Sequence, residues 1–215
     1  MKKYIVEFIG TFFLVLTIVL TVNNNTPDGF APIAIGSILM VMIFAGGHIS
    51  GAHFNPAVTL GVCLRGKCEW SDAPGYVIAQ LAGGAIAALV GGLLFGMHPD
   101  IAGPSSETAA TYGFVPLVIA EFIGTFALVY VVLQTATTKS TAGNSYYGLA
   151  IGFTVTACAY ALGPFSGGAF NPAVATGVSI ATMSAWSNIG GLLIGELLAG
   201  AAAALVFGVV YGKQD

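Results

Sequence analysis

Two phrases of this chain match: Ser50-Gly51-Ala52-His53-Phe54-Asn55-Pro56-Ala57-Val58 and Ser166-Gly167-Gly168-Ala169-Phe170-Asn171-Pro172-Ala173-Val174. Each carries Asn-Pro-Ala and opens a short apolar run. Asn is a favoured helix N-cap, and Pro is favoured at the first helical position. The phrases therefore predict helices beginning at Pro56 and Pro172. The runs behind them, about 55–64 and 171–183, are too short to cross a ~30 Å hydrocarbon layer, which takes ~20 helical residues. The fold must hold two short helices partway into whatever surrounds them.

Composition says what surrounds them. Of the 215 residues, 56% are hydrophobic and only 7% are charged. A soluble domain carries about 25% charged residues, so this chain cannot cover a water-facing surface and belongs in a bilayer. Six Lys and Arg residues, with a net charge of −3, form no basic patch, which excludes nucleic acid as a partner. Cys63, Cys68 and Cys158 lack the spacing of a metal site and read as free thiols, so no metal and no cofactor are expected. The first apolar run is too long for a cleavable signal peptide and lacks its small-residue cleavage site.

Six apolar runs, at about 4–22, 32–49, 75–96, 114–134, 147–163 and 188–211, predict six transmembrane helices. Polar stretches at 23–29, 98–113 and 134–144 divide them. The positive charges agree with this count. Lys2 and Lys3 precede the first span, Arg65 and Lys67 lie between the second and third, Lys139 lies between the fourth and fifth, and Lys213 follows the sixth. With six spans these places share one side, and the other connections contain no Lys or Arg. Positive charge marks the cytoplasmic side. The expectation is a multi-pass protein of the plasma (bacterial inner) membrane with both termini in the cytoplasm.

The chain also repeats itself. Glu7-Phe8-Ile9-Gly10-Thr11-Phe12 recurs as Glu121-Phe122-Ile123-Gly124-Thr125-Phe126, offset by 114 residues, and the Asn-Pro-Ala phrases are offset by 116. A third pair, 79–84 and 195–200, is also offset by 116. Three spans and one half-helix thus occur twice, as repeat one at about 1–97 and repeat two at about 114–215, joined by a loop at about 98–113. The whole of 1–215 reads as one domain. An odd number of spans per copy inverts the second copy in the membrane. Inverted repeats put a functional site near the midplane, where broken helices meet. The expected fold is an all-α membrane protein with six transmembrane helices, two re-entrant half-helices and an inverted 3+3 repeat. Non-helical backbone survives at membrane depth only if it is buried or lines a cavity, so the paired half-helices predict a pore.

These features resemble the aquaporins of the major intrinsic protein family. The resemblance covers essentially the whole chain and is strongest at Gly47-His48-Ile49-Ser50-Gly51-Ala52-His53-Phe54-Asn55-Pro56-Ala57-Val58-Thr59. It implies passive, bidirectional flow of water or small neutral solutes, and a homotetramer in the lipid bilayer. It makes Asn55, Pro56, Ala57, Asn171, Pro172 and Ala173 the pore boxes. It makes Glu7 and Glu121 buried acceptors for backbone N–H groups of the re-entrant loops. Two half-helix ends also give a positive field that repels cations and protons.

One position departs from the family pattern. Where most members place Arg directly after the second box, this chain has Val174. Counting from the boxes without gaps, the other outer-filter positions fall on Ile35, Ala159 and Gly168. That set has no charge, no ring and no side-chain donor, so a wide apolar filter is expected. Tyr160, Phe165, Phe170 or loop carbonyls folding into the gap are the alternative. Ala175 and Thr176 stand where the glycerol-facilitator branch has its Asp, so that branch is not indicated.

The remaining features have mainly structural readings. Cys158 adjoins Ala159 but on a helix faces about 100° away, so mercury inhibition should be weak. The pairs Gly47/Gly51, Gly92/Gly96, Gly148/Gly152, Gly191/Gly195 and Gly208/Gly212 suit close helix packing. His48 and His53 read as hydrogen-bonded structural residues, with pH gating as the other option. Glu196 takes the place of Gln80 in the repeat and lies mid-span, which suggests a polar helix contact or a protonated acid. Asn24-Asn25-Thr26 fits a glycosylation sequon. A coupled transporter would need Glu7, Glu121 or Glu196 to titrate, and two of these belong to the repeated motif. An intramembrane enzyme would need Ser50 or Ser166 beside His48 or His53. Only the first serine has nearby histidines, so no enzymatic activity is expected. A junction protein adhering through its outer faces is disfavoured by short outer loops.

Overall fold

The computed structural model describes residues 1–23, 29–95 and 112–212. The sequon at 24–26, nearly all of the 98–113 connection, Gly96 and Lys213 lie outside the described residues. The described helices are α1 (Lys2–Asn23), α2 (Ala31–Ser50), α3 (Pro56–Leu64), α4 (Ala73–Phe95), α5 (Phe114–Val132), α6 (Tyr147–Ser166), α7 (Pro172–Ile180) and α8 (Ile189–Tyr211). Six are long and apolar enough to cross a membrane. The two short ones, α3 and α7, have nine residues each. Exposed Leu93, Leu205 and Val209 alongside fully buried Glu7, Glu121 and Glu196 reverse the pattern of a water-soluble protein.

Three ends differ from the sequence expectation. The helix α6 continues past Pro164 to Ser166. Proline forfeits only its own backbone bond there, and the Gly167 N–H still closes the last turn on the Gly163 carbonyl at 2.8 Å. The short helix α7 stops at Ile180, because Met183 N–H bonds the Val178 carbonyl and Thr182 N–H bonds the Ser179 carbonyl. That pattern is a Schellman turn, and it puts Thr182 at φ 61°. Finally α5 runs into a π-helical turn, Leu133–Thr137, rather than ending at the polar stretch.

The long helices pack in pairs, α1 on α4, α5 on α8 and α2 on α6. Each short helix packs mainly on a long helix of the other half, α3 on α8 and α7 on α4. Two glycines permit this crossing. A Cβ on Gly84 would lie 2.8 Å from the Ala173 carbonyl oxygen, and one on Gly200 would lie 2.6 Å from that of Ala57. These residues end the third repeated segment found in the sequence, so its purpose is to seat the opposite box. Of the expected glycine pairs, Gly148/Gly152 and Gly191/Gly195 make close contacts, whereas a Cβ at Gly208 or Gly212 would meet nothing within 4 Å.

Contacts at the two ends fix the topology. Lys3 on α1 pairs with Asp72 just before α4. Arg65, after α3, lies 4.6 Å over the Phe207 ring of α8, and Tyr211 donates to the Gln134 side chain at 2.7 Å. The chain start, the end of α3 and the end of α8 therefore share one face. At the other face Tyr160 of α6 donates to the Gly29 carbonyl before α2.

Candidate pore

Both loops that precede the short helices fold by the same local chemistry. The helices α2 and α6 end at Gly51 and Gly167, with φ of 85° and 90°, where glycine tolerates the left-handed backbone. The next residues are strained. Ala52, Phe54 and Phe170 have φ of 51°, 49° and 50°, an uncommon region for residues with a Cβ.

The repeated glutamates hold that backbone. Glu7 accepts from Ser50 Oγ at 2.7 Å, His53 N–H at 3.0 Å, Phe54 N–H at 2.6 Å and Gln80 Nε2 at 2.8 Å. Glu121 accepts from Ser166 Oγ at 2.6 Å, Ala169 N–H at 3.0 Å and Phe170 N–H at 2.6 Å. A hydrogen bond to an ionised acceptor contributes about 1.5–3 kcal/mol. A left-handed non-glycine residue costs about 1–2 kcal/mol. Each carboxyl group makes several such bonds for one or two strained residues, which holds the left-handed backbone in place. The glycine three residues after each glutamate completes the seat. A Cβ on Gly10 would lie 2.1 Å from the Phe54 ring, and one on Gly124 would lie 2.2 Å from the Phe170 ring. This pairing was missed in the sequence, although Glu-x-x-Gly within both copies of the motif was its signal.

With the N–H groups turned toward the glutamates, the loops are left to carry Asn55 and Asn171 to the centre. Each Asn is a true N-cap. Asn55 Oδ1 accepts from Ala57 and Val58 N–H, and Asn171 Oδ1 accepts from Ala173 and Val174 N–H. The amide nitrogens cross between halves. Asn55 Nδ2 donates to the Phe170 carbonyl at 2.9 Å, and Asn171 Nδ2 donates to the Phe54 carbonyl at 2.9 Å. An amide has two N–H donors. Locking one of them across the joint fixes the direction of the other. The N-termini of α3 and α7 thus meet, each carrying roughly half a positive charge.

One cavity of about 200 Å³ runs along both boxes. Asn55 and Asn171 line it, as do loop residues Ala52, His53, Gly167 and Gly168. Ser166 and Ser184 also line it, and most of the remaining wall is apolar, from residues such as Leu14, Leu39, Ile43, Leu128 and Val132. All four positions counted out for the outer filter, Ile35, Ala159, Gly168 and Val174, line this same cavity. The aromatic residues offered as substitutes are engaged elsewhere. Tyr160 is turned toward the Gly29 carbonyl. The Phe165 ring packs on Tyr112 with centroids 5.2 Å apart, and Phe170 is buried against Gly124. None of the three is among the lining residues, and neither is Cys158.

The histidines separate. His48 is exposed, while buried His53 contacts Thr59 Oγ1 through Nδ1 at 3.1 Å. Ser50 donates to Glu7 and Ser166 to Glu121, so neither serine is paired with a histidine as a nucleophile would be. Among the described residues no group of His, Cys, Asp and Glu could hold a metal.

Six spanning helices, two short helices meeting at their N-termini and a cavity threaded between them define a helical membrane channel. The comparisons agree. Residues 1–207 match the family described as Major intrinsic protein. Aquaporin NIP1-1 of Zea mays is 35% identical over 206 residues, covering 91% of this chain and 71% of the relative. Aquaporin NIP1-3 of Oryza sativa subsp. japonica is 40% identical over 185 residues, covering 83% and 63%. The X-ray structure of the aquaglyceroporin from Plasmodium falciparum superposes with a TM-score of 0.80 at 21% identity, over 99% of this chain and 96% of that one. The chain belongs to the major intrinsic protein family, a family of passive membrane channels rather than enzymes.

Proposed function

We propose that this channel passes water together with small neutral solutes such as glycerol, urea or ammonia, with little selectivity for water. One observation carries the reading. Ile35, Ala159, Gly168 and Val174 share the cavity of Asn55 and Asn171, and none of the four brings a polar side chain to it. Water moving in single file through an apolar stretch loses hydrogen bonds it would regain at charged or imidazole groups. A larger neutral solute loses a steric barrier at the same place. The boxes Asn55-Pro56-Ala57 and Asn171-Pro172-Ala173 form the barrier to protons and cations. Their half-helix ends present positive potential, and their amides orient a passing molecule.

This reading also makes the protein a homotetramer with one pore per subunit. It lies in a plasma membrane with both termini in the cytoplasm. Lys2, Lys3, Arg65, Lys67 and Lys139 on one side support that orientation.

Stopped-flow swelling of proteoliposomes tests the reading. Water, glycerol, urea and ammonia should each permeate faster than through empty vesicles, with no flux driven by an ion gradient. Rapid water flux with the three solutes at the empty-vesicle rate would overturn it.

A further inference from the structure

The two loops share their glutamates but not the side chains behind them. In the first half, Gln80 Nε2 donates one hydrogen to Glu7 at 2.8 Å and the other to Thr59 Oγ1 at 3.0 Å. Thr59 also contacts His53, and Tyr76 donates to the Ser50 carbonyl at 2.6 Å. Adding 116 to His53, Thr59, Tyr76 and Gln80 gives Ala169, Ala175, Leu192 and Glu196. Ala175 and Leu192 pack with Leu117 as an apolar cluster, partly covered by Ala169. A polar chain has become hydrocarbon with one carboxyl left inside it.

That carboxyl is fully buried beside a second fully buried one, Glu121. Glu196 Oε1 accepts from the Asn171 N–H at 2.9 Å, next to the Phe170 N–H that Glu121 accepts at 2.6 Å, and a Cβ on Gly195 would lie 3.0 Å from the Glu121 Cβ. Glu196 Oε2 is buried and has no hydrogen-bond partner among the described residues. The elements packed against Glu196 bring no cation. Its own α8 and the helix α7 carry no Lys, Arg or His, α5 brings Glu121, and α3 brings only the thiol of Cys63 near its far end. Two buried carboxylates side by side, with no cation beside them, cannot both be ionised.

We propose that Glu196 carries a proton and acts as a positioning residue for the second box. Its acid O–H donates to Glu121, while Oε1 accepts from the backbone of Asn171. A protonated acid has one hydrogen to give, and the amide of Gln80 has two. The first half offers two acceptors, Glu7 and Thr59. The second offers one, because Ala175 replaces the threonine. The acid is thus the side chain that satisfies this half without leaving a buried N–H unpaired. Glu121 and Glu196 together hold the successive N–H groups of Ala169, Phe170 and Asn171. The inference concerns the loop alone and does not rest on which solute permeates.

Infrared spectroscopy of the purified channel in lipid tests it. The wild type should show a deuterium-sensitive C=O band of a protonated carboxylic acid at neutral pH, absent from Glu196→Gln. Loss of ionised-carboxylate absorption instead, with the acid band unchanged, would overturn the proposal. Thermal unfolding gives a second readout. Glu196→Gln should melt lower than wild type, since its extra N–H meets only Ala169, Ala175 and Leu192. Glu196→Gln with Ala175→Thr rebuilds the Gln80–Thr59 pair and should recover part of the loss. A double variant no more stable than the single one, or one that does not fold, contradicts the donor count.

Discussion

The first and second loops of this channel trace nearly the same backbone, yet behind and beside it their side chains diverge. Both keep the glutamate with its serine, the phenylalanine ring on a glycine, the Asn-Pro-Ala cap and the glycine that seats the opposite box. Those parts fix a strained, non-helical backbone at membrane depth. Around them the first loop has His53, Thr59, Tyr76 and Gln80, whereas the second has Ala169, Ala175, Leu192 and Glu196. The second half also supplies Ala159, Gly168 and Val174 to the cavity wall. The lesson is that the central joint depends on backbone and cap chemistry. The wall beside the joint differs between the two halves without disturbing that chemistry.

The largest effect should come from removing what the loops share. Glu7→Ala and Glu121→Ala each orphan buried loop donors at about 1–3 kcal/mol apiece. Three or four such losses rival a total stability of about 5–15 kcal/mol. Both variants should fail to give a monodisperse peak on size-exclusion chromatography. If only one fails, the loops are not equivalent. Next in size are Gly84→Val and Gly200→Val, which push a box carbonyl away. Overpacking costs about 1–3 kcal/mol, and both melting temperatures should fall by similar amounts with water flux reduced.

A smaller effect separates the ends of the short helices. The first turns on Gly66 at φ 74°, and the second on Thr182 at φ 61°. Thr182→Gly should therefore stabilise by about 1 kcal/mol, read as a higher melting temperature. Gly66→Thr should do the reverse. The smallest effect lies at the partly exposed Lys3–Asp72 pair. The hydrogen bond from Lys3 holds the Asp72 carboxyl below its ordinary range. The stability it adds is present above the ordinary carboxylate pKa and fades as pH falls through the lowered value. Asp72→Asn should flatten only that acid limb of a melting-temperature profile.

Much of the centre was legible in sequence because its signals are local. Asn before Pro marks a helix start wherever the chain goes, and the positions that the family resemblance implies for an outer filter were counted from those starts. Ile35, Ala159, Gly168 and Val174 accordingly reach one cavity. What was not legible depends on residues far apart in the chain. The Asn55 amide meets the Phe170 carbonyl across 115 residues, and no periodicity announces that contact. Tyr160, Phe165 and Phe170 were plausible fillers by position alone, and only the packing of each ring removes them from the pore. Pro164 suggested a helix end that one surviving hydrogen bond from Gly167 postpones.

The separability of centre and wall is tested most directly by Val174→Arg in proteoliposomes. Glycerol, urea and water permeabilities are measured beside proton conductance. The account predicts that the solute permeabilities fall more than water permeability does. Proton conductance should be low in the wild type and unchanged in the variant, because the paired half-helices already form the barrier. Equal losses for solutes and water, or a wild-type proton leak that the arginine abolishes, would contradict it.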